Sequence, residues 1–178
     1  MKRILIALVV IIVVFSSSCS ADIVEIGLGC AASFMLHEAG HYVVGNSVGE
    51  LEFVRGDDWF GLPDWVYYGN KEGLAKTGVA GFQTDWLLRE YCLQKRPEGD
   101  FWKAFFWHNI LHHAIYCFCD EGDVNAIYEG AGVSKGTTHT FLAVLLLADI
   151  YRYFHPKENG LDVILAPKVV GLGWSVSF

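Results

Sequence analysis

The segment that most constrains this chain is His37-Glu38-Ala39-Gly40-His41, in which two histidines stand four residues apart. Residues with this spacing lie on one face of a helix, so both imidazoles can reach one metal ion. Glu38 directly follows the first histidine, where its carboxylate can reach a water molecule bound to that ion. The segment therefore predicts a helix that carries two metal ligands and a base.

Apolar residues before the motif place it in the second half of one long helix, which we expect from Ile23 to about Gly49. Glycines near its end indicate where the helix stops. A short strand is predicted at residues 51–55. The turn-rich stretch 56–70, which holds Trp59 and Trp65, is expected to line a cleft together with this strand.

Four further helices are predicted from apolar periodicity and from breaks at proline and glycine. The last ten residues alternate as a strand would and are similar to the ends of outer-membrane β-barrels, although one strand cannot close a barrel. The expected fold is mainly α: a helical bundle with a short β segment after the motif helix and a β-like C-terminal tail. The expected elements run from Leu74 to Gln94, Phe101 to Cys119, Gly122 to about Gly130, Thr138 to Phe154, and Val169 to Phe178 for the tail.

The composition favours membrane association and argues against nucleic-acid binding. The chain is 53% hydrophobic and only 19% charged, which is apolar for a soluble protein. Its net charge is −7, and it has no stripe of lysine and arginine to attract phosphates. With 178 residues it fits one domain, which we expect to span residues 22–178. The expected partners are therefore a membrane and a peptide or protein substrate.

Residues 1–21 are typical of an export signal, with Lys2-Arg3, an apolar run from Ile4 to Phe15 and then small residues. Three outcomes stay open: a signal peptide cleaved near its end, a lipoprotein signal modified at Cys19, or a retained membrane anchor. All three place the domain outside the cytoplasm, and together with the apolar composition they predict an exported, membrane-associated protein of the cell envelope, on the periplasmic side or at the outer membrane.

Four cysteines would remain after removal of such a signal, and this even number in an exported protein permits disulfides. Their spacing does not settle a pairing. Cys117 and Cys119 would point in different directions on one helix, which argues against a bridge between them.

A catalytic zinc site usually has three protein ligands and one open position, so a third ligand is needed. Ser47 stands where the metzincin pattern has a further histidine, which excludes that subclass. The motif at the end of an apolar helix resembles the peptidase domain of membrane-anchored AAA metalloproteases and, more weakly, the site-2 proteases. In the first family a helix of small residues that contains a glutamate follows, and an aspartate ligand stands at a later helix start. The stretch from Ala80 to Glu90 and then the one from Gly122 to Ala126 are similar to that layout, which implies Asp123 as the third ligand.

Other carboxylates stay open as the third ligand. The site-2 resemblance points to Asp162 within Leu161-Asp162, although Val163 replaces the glycine of that family. Glu90 would serve in a gluzincin-like arrangement, and Asp85 and Asp149 also lie on predicted helices. The ATPase module of the AAA family is absent from this sequence.

A second group of metal-binding residue types occurs at residues 108–123. His108 and His112 are four residues apart, and Cys119 follows seven residues after His112, so one helix face could offer three ligands to a second metal. The competing interpretations are histidines hydrogen-bonded inside the bundle, or second-shell partners of the first site.

The resemblance implies a zinc metallopeptidase. Zn²⁺ would be held by His37, His41 and Asp123, and Glu38 would be the general base that activates the bound water. The alternative is a noncatalytic envelope protein that keeps the motif helix for structure, for metal binding or for binding a partner.

Overall fold

The computed structural model describes residues 22–55 and 63–156. Within these ranges the chain forms five helices and a two-stranded sheet, so the prediction of a mainly helical protein with a short β segment is confirmed. The first 21 residues and the C-terminal tail lie outside the described residues, and the predictions made for them stay predictions. The elements are α1 (Ile23–Val48), β1 (Glu50–Arg55), β2 (Pro63–Tyr68), α2 (Lys71–Lys95), α3 (Asp100–Tyr116), α4 (Asp123–Ala131) and α5 (Lys135–Phe154).

Side-chain caps decide where three helices begin. Asp22 accepts hydrogen bonds from the backbone N–H groups at the start of α1. Asn70 does the same for α2 and Ser134 for α5. These caps satisfy N–H groups that have no partner within the helix. As a result α2 and α5 each begin three residues earlier than apolar periodicity predicts, at Lys71 and Lys135.

The turn after α3 places the start of α4. The helix ends at Tyr116 and not at Cys119, because the N–H of Cys117 bonds to the carbonyl of Ala114 and closes a tighter turn. Gly122 then adopts a φ of 58°, a backbone conformation that residues with a Cβ rarely take. The chain reverses there, and Asp123 becomes the first residue of α4.

The hairpin contains a strand that the sequence did not predict. β1 and β2 are antiparallel, with Glu50 opposite Tyr68 and Arg55 opposite Pro63. Turn residues on both sides of β2 concealed its alternating aromatic and β-branched residues. The Tyr67 hydroxyl donates a hydrogen bond to the carbonyl of Val48 and so ties the hairpin to the end of α1.

Helix α1 packs on α2 and α3, and α2 also packs on α4. The approach of α2 to α4 is close because Gly78 has no side chain. A Cβ there would lie 2.8 Å from the Cβ of Ala126 and 3.0 Å from the backbone oxygen of Asp123. This packing holds Asp123 next to the middle of α2.

A buried polar network joins α1, α2, α3 and α5. Arg89 Nε donates to Asp149 at 2.7 Å, and Arg89 Nη1 donates to Asn109 and His113, each at 3.0 Å. Asn109 in turn donates to Ser33 on α1. Burial and then the charge of Arg89 lower the pKa of His113 to about 3, so its ring is neutral and can accept this bond. Removing one partner of a buried ion pair typically costs about 3–5 kcal/mol, so the network fixes these helices together.

The described helices bury polar side chains and expose many apolar ones. Most of the fully buried side chains are polar or charged, among them Arg89, His37, His41 and Asp85. Two apolar clusters, around Phe82 and around Phe106, flank this polar centre. None of the described helices is long and apolar enough to cross a membrane. Membrane association therefore stays a prediction.

The four described cysteines are all free thiols. Burial raises the pKa of Cys92 to about 11 and also raises the pKa of the Cys30 and Cys117 thiols. These three thiols are therefore protonated and unreactive at neutral pH.

Candidate metal centre

The two histidines of the motif meet inside the bundle. His37 and His41 are fully buried on the face of α1 that packs against α2. Their Nε2 atoms lie 3.0 Å apart, and their ring centroids are separated by 4.7 Å. The spacing of four residues therefore places both imidazoles at one point, as the sequence predicts.

Asp123 joins them from the first turn of α4. Its Oδ2 lies 3.3 Å from His37 Nε2, and its Oδ1 lies 3.2 Å from His41 Nε2. Asp123 is 1% exposed. Asp123, the third ligand that the family resemblance implies, therefore lies at the two Nε2 atoms. His37, His41 and Asp123 form a buried group that could hold a metal ion.

Hydrogen bonds on the far side of each ring fix which nitrogen carries the proton. His41 Nδ1 lies 2.8 Å from the carbonyl oxygen of Thr77, which can only accept, so Nδ1 carries the hydrogen. His37 Nδ1 lies 3.0 Å from Asp85 Oδ2 and donates in the same way. In the neutral rings both Nε2 atoms therefore present lone pairs to each other and to Asp123.

Such a convergence of lone pairs is relieved by a positive charge, either a proton on one ring or a bound metal ion. As long as both rings are neutral, neither oxygen of Asp123 has a hydrogen-bond donor among the described residues. The three separations of 3.0–3.3 Å between the ligand atoms match the edge of a tetrahedron with bonds of about 2.0–2.1 Å, which is about 3.3–3.4 Å. The donor set and its dimensions thus fit a single divalent ion with one position left open.

The basicity of the histidines reflects the same need for a cation. Burial by itself lowers the pKa of His37, but its hydrogen bonds to Asp123 and Asp85 and their negative charges outweigh burial and raise the pKa to about 10. Burial likewise opposes protonation of His41, and the charge of Asp123 and its hydrogen bond raise the pKa overall. Protons and a metal ion therefore compete for these two Nε2 atoms.

Glu38 lies beside the ligand group and is partly buried. Its Oε2 is buried and has no hydrogen-bond partner within residues 22–55 and 63–156. Burial raises the pKa of Glu38, while the nearby His37 and His41 act in the opposite direction. A carboxylate with a raised pKa and a free oxygen is suited to accept a proton at neutral pH.

Gly81 of α2 makes room for both imidazoles. A Cβ at this position would lie 2.5 Å from His37 Cε1 and 2.5 Å from His41 Nε2. Gly81 belongs to a series with a spacing of four, Thr77, Gly81 and Asp85, that faces the motif. The spacing could have been recognised in the sequence, because residues four apart lie on one helix face.

Two aromatic side chains border the histidine rings. Trp65 of β2 lies with its ring centroid 5.1 Å from that of His41, so this one described residue of the stretch 56–70 borders the site. Tyr116, at the end of α3, stacks on His37 at 6.2 Å. Burial and then the negative charge of Asp123 raise the pKa of Tyr116 well above its usual range, so the phenol keeps its proton. Tyr116 was not predicted from the sequence, although it stands four residues after His112 and so shares its face of α3.

The other carboxylates that the sequence offered as third ligand have different surroundings. Asp85 contacts His37 at Nδ1, on the side of the ring away from the ligand group. Glu90 forms a two-pronged ion pair with Arg152, and Asp149 pairs with Arg89. Asp162 lies outside the described residues. Asp85 thus holds the His37 ring in place from behind, and the structure does not bring Glu90 or Asp149 to the site.

The second histidine group lies next to the first site. The ring centroids of His112 and His37 are 4.4 Å apart, and His112 Nδ1 lies 3.5 Å from Asp85 Oδ2. His108 stacks on His112 at 6.0 Å. The structure does not group Cys119 with them as a ligand, because α3 ends before it is reached.

Comparisons of this chain with protein-family models, with curated proteins and with solved structures gave no match.

Replacing Gly81 with alanine is expected to abolish metal binding without unfolding the protein. The added Cβ would overlap both imidazoles and push their Nε2 atoms apart. Gly27→Ala is the matched control, because a Cβ at Gly27 meets nothing within 4 Å. Bound metal is measured by elemental analysis and helical content by circular dichroism. Full metal occupancy in Gly81→Ala would contradict the described approach of α2 to the site.

Metal affinity is expected to rise steeply with pH. His37, whose pKa is raised to about 10, holds a proton at neutral pH when no metal is bound, and the pKa of His41 is raised as well, so metal binding must release protons. Between about pH 6 and pH 9 the dissociation constant should fall about tenfold per pH unit for each proton released. Competition with a chromophoric chelator measures it.

The same histidines also predict how the stability of the metal-free protein changes with pH. The stability contributed by protonated His37 is fully present below the unfolded pKa of 6.5 and is lost as the pH rises toward about 10. Metal binding should therefore raise the melting temperature more at pH 9 than at pH 6. An affinity and a melting shift that do not vary with pH would contradict these assignments.

Proposed function

We propose that this protein is a zinc metallopeptidase. The observation that carries the proposal is the convergence of His37 Nε2, His41 Nε2 and Asp123 at 3.0–3.3 Å, with the free carboxylate oxygen of Glu38 beside them. Two imidazoles and one carboxylate are a ligand set of catalytic zinc sites. The resemblance of the motif and of its later aspartate to the membrane-anchored AAA metalloproteases supports the same chemistry.

His37, His41 and Asp123 would hold the ion. When bound, zinc supplies a Lewis acid and lowers the pKa of a coordinated water toward neutrality. Asp85 keeps His37 in the tautomer that offers Nε2, and the Thr77 carbonyl does the same for His41. These two contacts orient the ligands before the ion arrives, and so less conformational entropy is lost on binding.

Glu38 would move the proton in hydrolysis. Its unpartnered Oε2 takes a proton from the attacking water and then passes it to the nitrogen of the departing amine. Its raised pKa suits both steps, because the group must accept a proton and release it again in each cycle. Tyr116 and Trp65 border the histidines and limit the access of bulk water to them.

Glu38→Gln is expected to retain zinc and to lose peptide hydrolysis by about 10²- to 10⁴-fold, since it removes the base but no ligand. His37→Ala should lose both zinc and activity. Zinc is measured by elemental analysis, and turnover with a library of quenched fluorescent peptides. His139→Gln, which changes a histidine outside the cluster, serves as the control and should behave as wild type.

The results of this experiment separate the two functions considered for the chain. A protein that binds zinc but cleaves no peptide, with wild type and Glu38→Gln alike, would favour a noncatalytic metal-binding role. Intact wild-type protein that binds no zinc would contradict the proposed function.

The surroundings that we propose for this activity are those of a membrane surface at the cell envelope. Helix α1 carries a single charged side chain between Ile26 and Gly49, namely Glu38. Its outward face exposes Leu28 at 58%, Met35 at 64% and Val43 at 68%. Exposed apolar faces of this size are typical of membrane or protein contacts. The apolar run that precedes α1 in the sequence favours lipid.

Photoactivatable phosphatidylcholine in vesicles is expected to label the outward face of α1 in the full chain. Peptides that contain Leu28 and Met35 should carry lipid, whereas the charged start of α2 should not. Met35→Glu should reduce labelling of α1, and Lys76→Glu, a change on the exposed surface of α2, should leave it unaltered. Mass spectrometry maps the labelled residues. An unlabelled α1 would contradict the proposed contact.

A further inference from the structure

Asp85, His112 and His108 form a second group of metal-ligand side chains that the proposed hydrolysis does not use. Asp85 is fully buried on α2, and its Oδ1 has no hydrogen-bond partner in the described part of the chain. The Nδ1 atoms of His112 and of His108 are buried and equally without a partner there. Buried polar atoms are normally paired, so three free ones in one region call for a ligand.

The arrangement repeats that of the first site. His37 and His41 are four residues apart on α1 and meet Asp123 from another helix. His108 and His112 are likewise four apart on α3, where His108 stacks on His112 and His112 faces Asp85 of α2. The hydrogen bond from His37 to Asp85 links the two groups.

The distance between His112 and Asp85 is close to the one that separates two ligand atoms bound to the same metal ion. His112 Nδ1 and Asp85 Oδ2 lie 3.5 Å apart, and this contact does not have the geometry of a hydrogen bond. Two ligands at about 2.0–2.1 Å from one ion are separated by about 3.3 Å or slightly more. His37, Asp85 and His112 also form a group whose ligand atoms lie within 4.8 Å of one another.

The charges around the two groups favour a second cation. Glu38, Asp85 and Asp123 carry three negative charges when all are ionised. Among the ion pairs of the described residues, Asp85 and Asp123 pair with histidines and with no lysine or arginine. One divalent ion offsets two of these charges. Burial lowers the pKa of His108 to about 4, so this ring is neutral at pH 7 and can act as a ligand.

We infer that a second divalent transition-metal ion of the zinc class binds between Asp85 and His112, with His108 as a further ligand, next to the ion held by His37, His41 and Asp123. Asp85 Oδ2 has two lone pairs, so it can bind the ion while it accepts the hydrogen bond from His37 Nδ1. His108 lies one helical turn before His112 on α3, with its ring stacked on that of His112. Because the ligands of this ion are separate from Asp123 and His41, the inference does not depend on the peptidase activity.

The experiment is a zinc count on the full chain. Metal-free protein is equilibrated with zinc chloride, freed of excess ion and assayed by elemental analysis. Wild type should hold two equivalents of zinc. His112→Gln should hold one and His41→Gln should likewise lose the first ion, while His139→Gln, the control, should hold two.

A wild-type protein that holds one equivalent, unchanged in His112→Gln, would overturn the second site and leave the proposed function intact. In that case His112 only borders Asp85. A wild type that holds no zinc would overturn both. The wild-type count needs no variant, so it decides the inference even if His112→Gln fails to fold. Cobalt titration of wild type gives a second readout, since two neighbouring ions should produce two successive steps in visible absorption.

Discussion

The rest of the structure depends on the close contact of α1 with its neighbours through small and polar side chains. The buried residues of α1 recur at a spacing of four and include no large apolar side chain: Gly29, Ser33, His37, His41 and Gly45. Residues spaced by four form a ridge that packs into the groove of a neighbouring helix. Because α2 presents Gly81 to this ridge, the imidazoles fit between the helices and do not force them apart. The ligand site is therefore part of the helix packing itself.

This packing gives the described helices a polar centre. The free-energy cost of burying its charged groups is offset where each of them has a partner. Burying an unpaired charge is far more expensive than burying one with a partner. Arg89 is compensated by Asp149, Asn109 and His113. Asp85 and Asp123 have only histidines as ion-pair partners within the described residues, so this half of the centre has no lysine or arginine to balance its carboxylates. A metal ion therefore suits the region around Asp85 and Asp123, whereas Arg89 already supplies the positive charge around Asp149.

Much of the helical framework could be predicted from sequence. The motif helix was expected from Ile23 to about Gly49 and runs to Val48. The boundaries of α2 and α5 were missed by three residues, since single capping side chains at Asn70 and Ser134 decide them. Strand β2 was missed because isolated alternation is weak evidence until a partner strand fixes its register. The end of α3 was predicted too late, since apolar character continues past the turn at Cys117 that stops the helix.

The sequence by itself determined how His37, Glu38 and His41 lie relative to one another, because their spacing on a helix fixes these positions through local geometry alone. It offered five carboxylates as a third ligand, and only the tertiary structure brought Asp123, one of the four that it describes, to the histidines. Asp123 reaches the histidines because the turn at Gly122 and the close packing at Gly78 bring the start of α4 to them. That contact joins residues more than eighty positions apart. The position of a distant side chain depends on how helices pack, which no local pattern encodes.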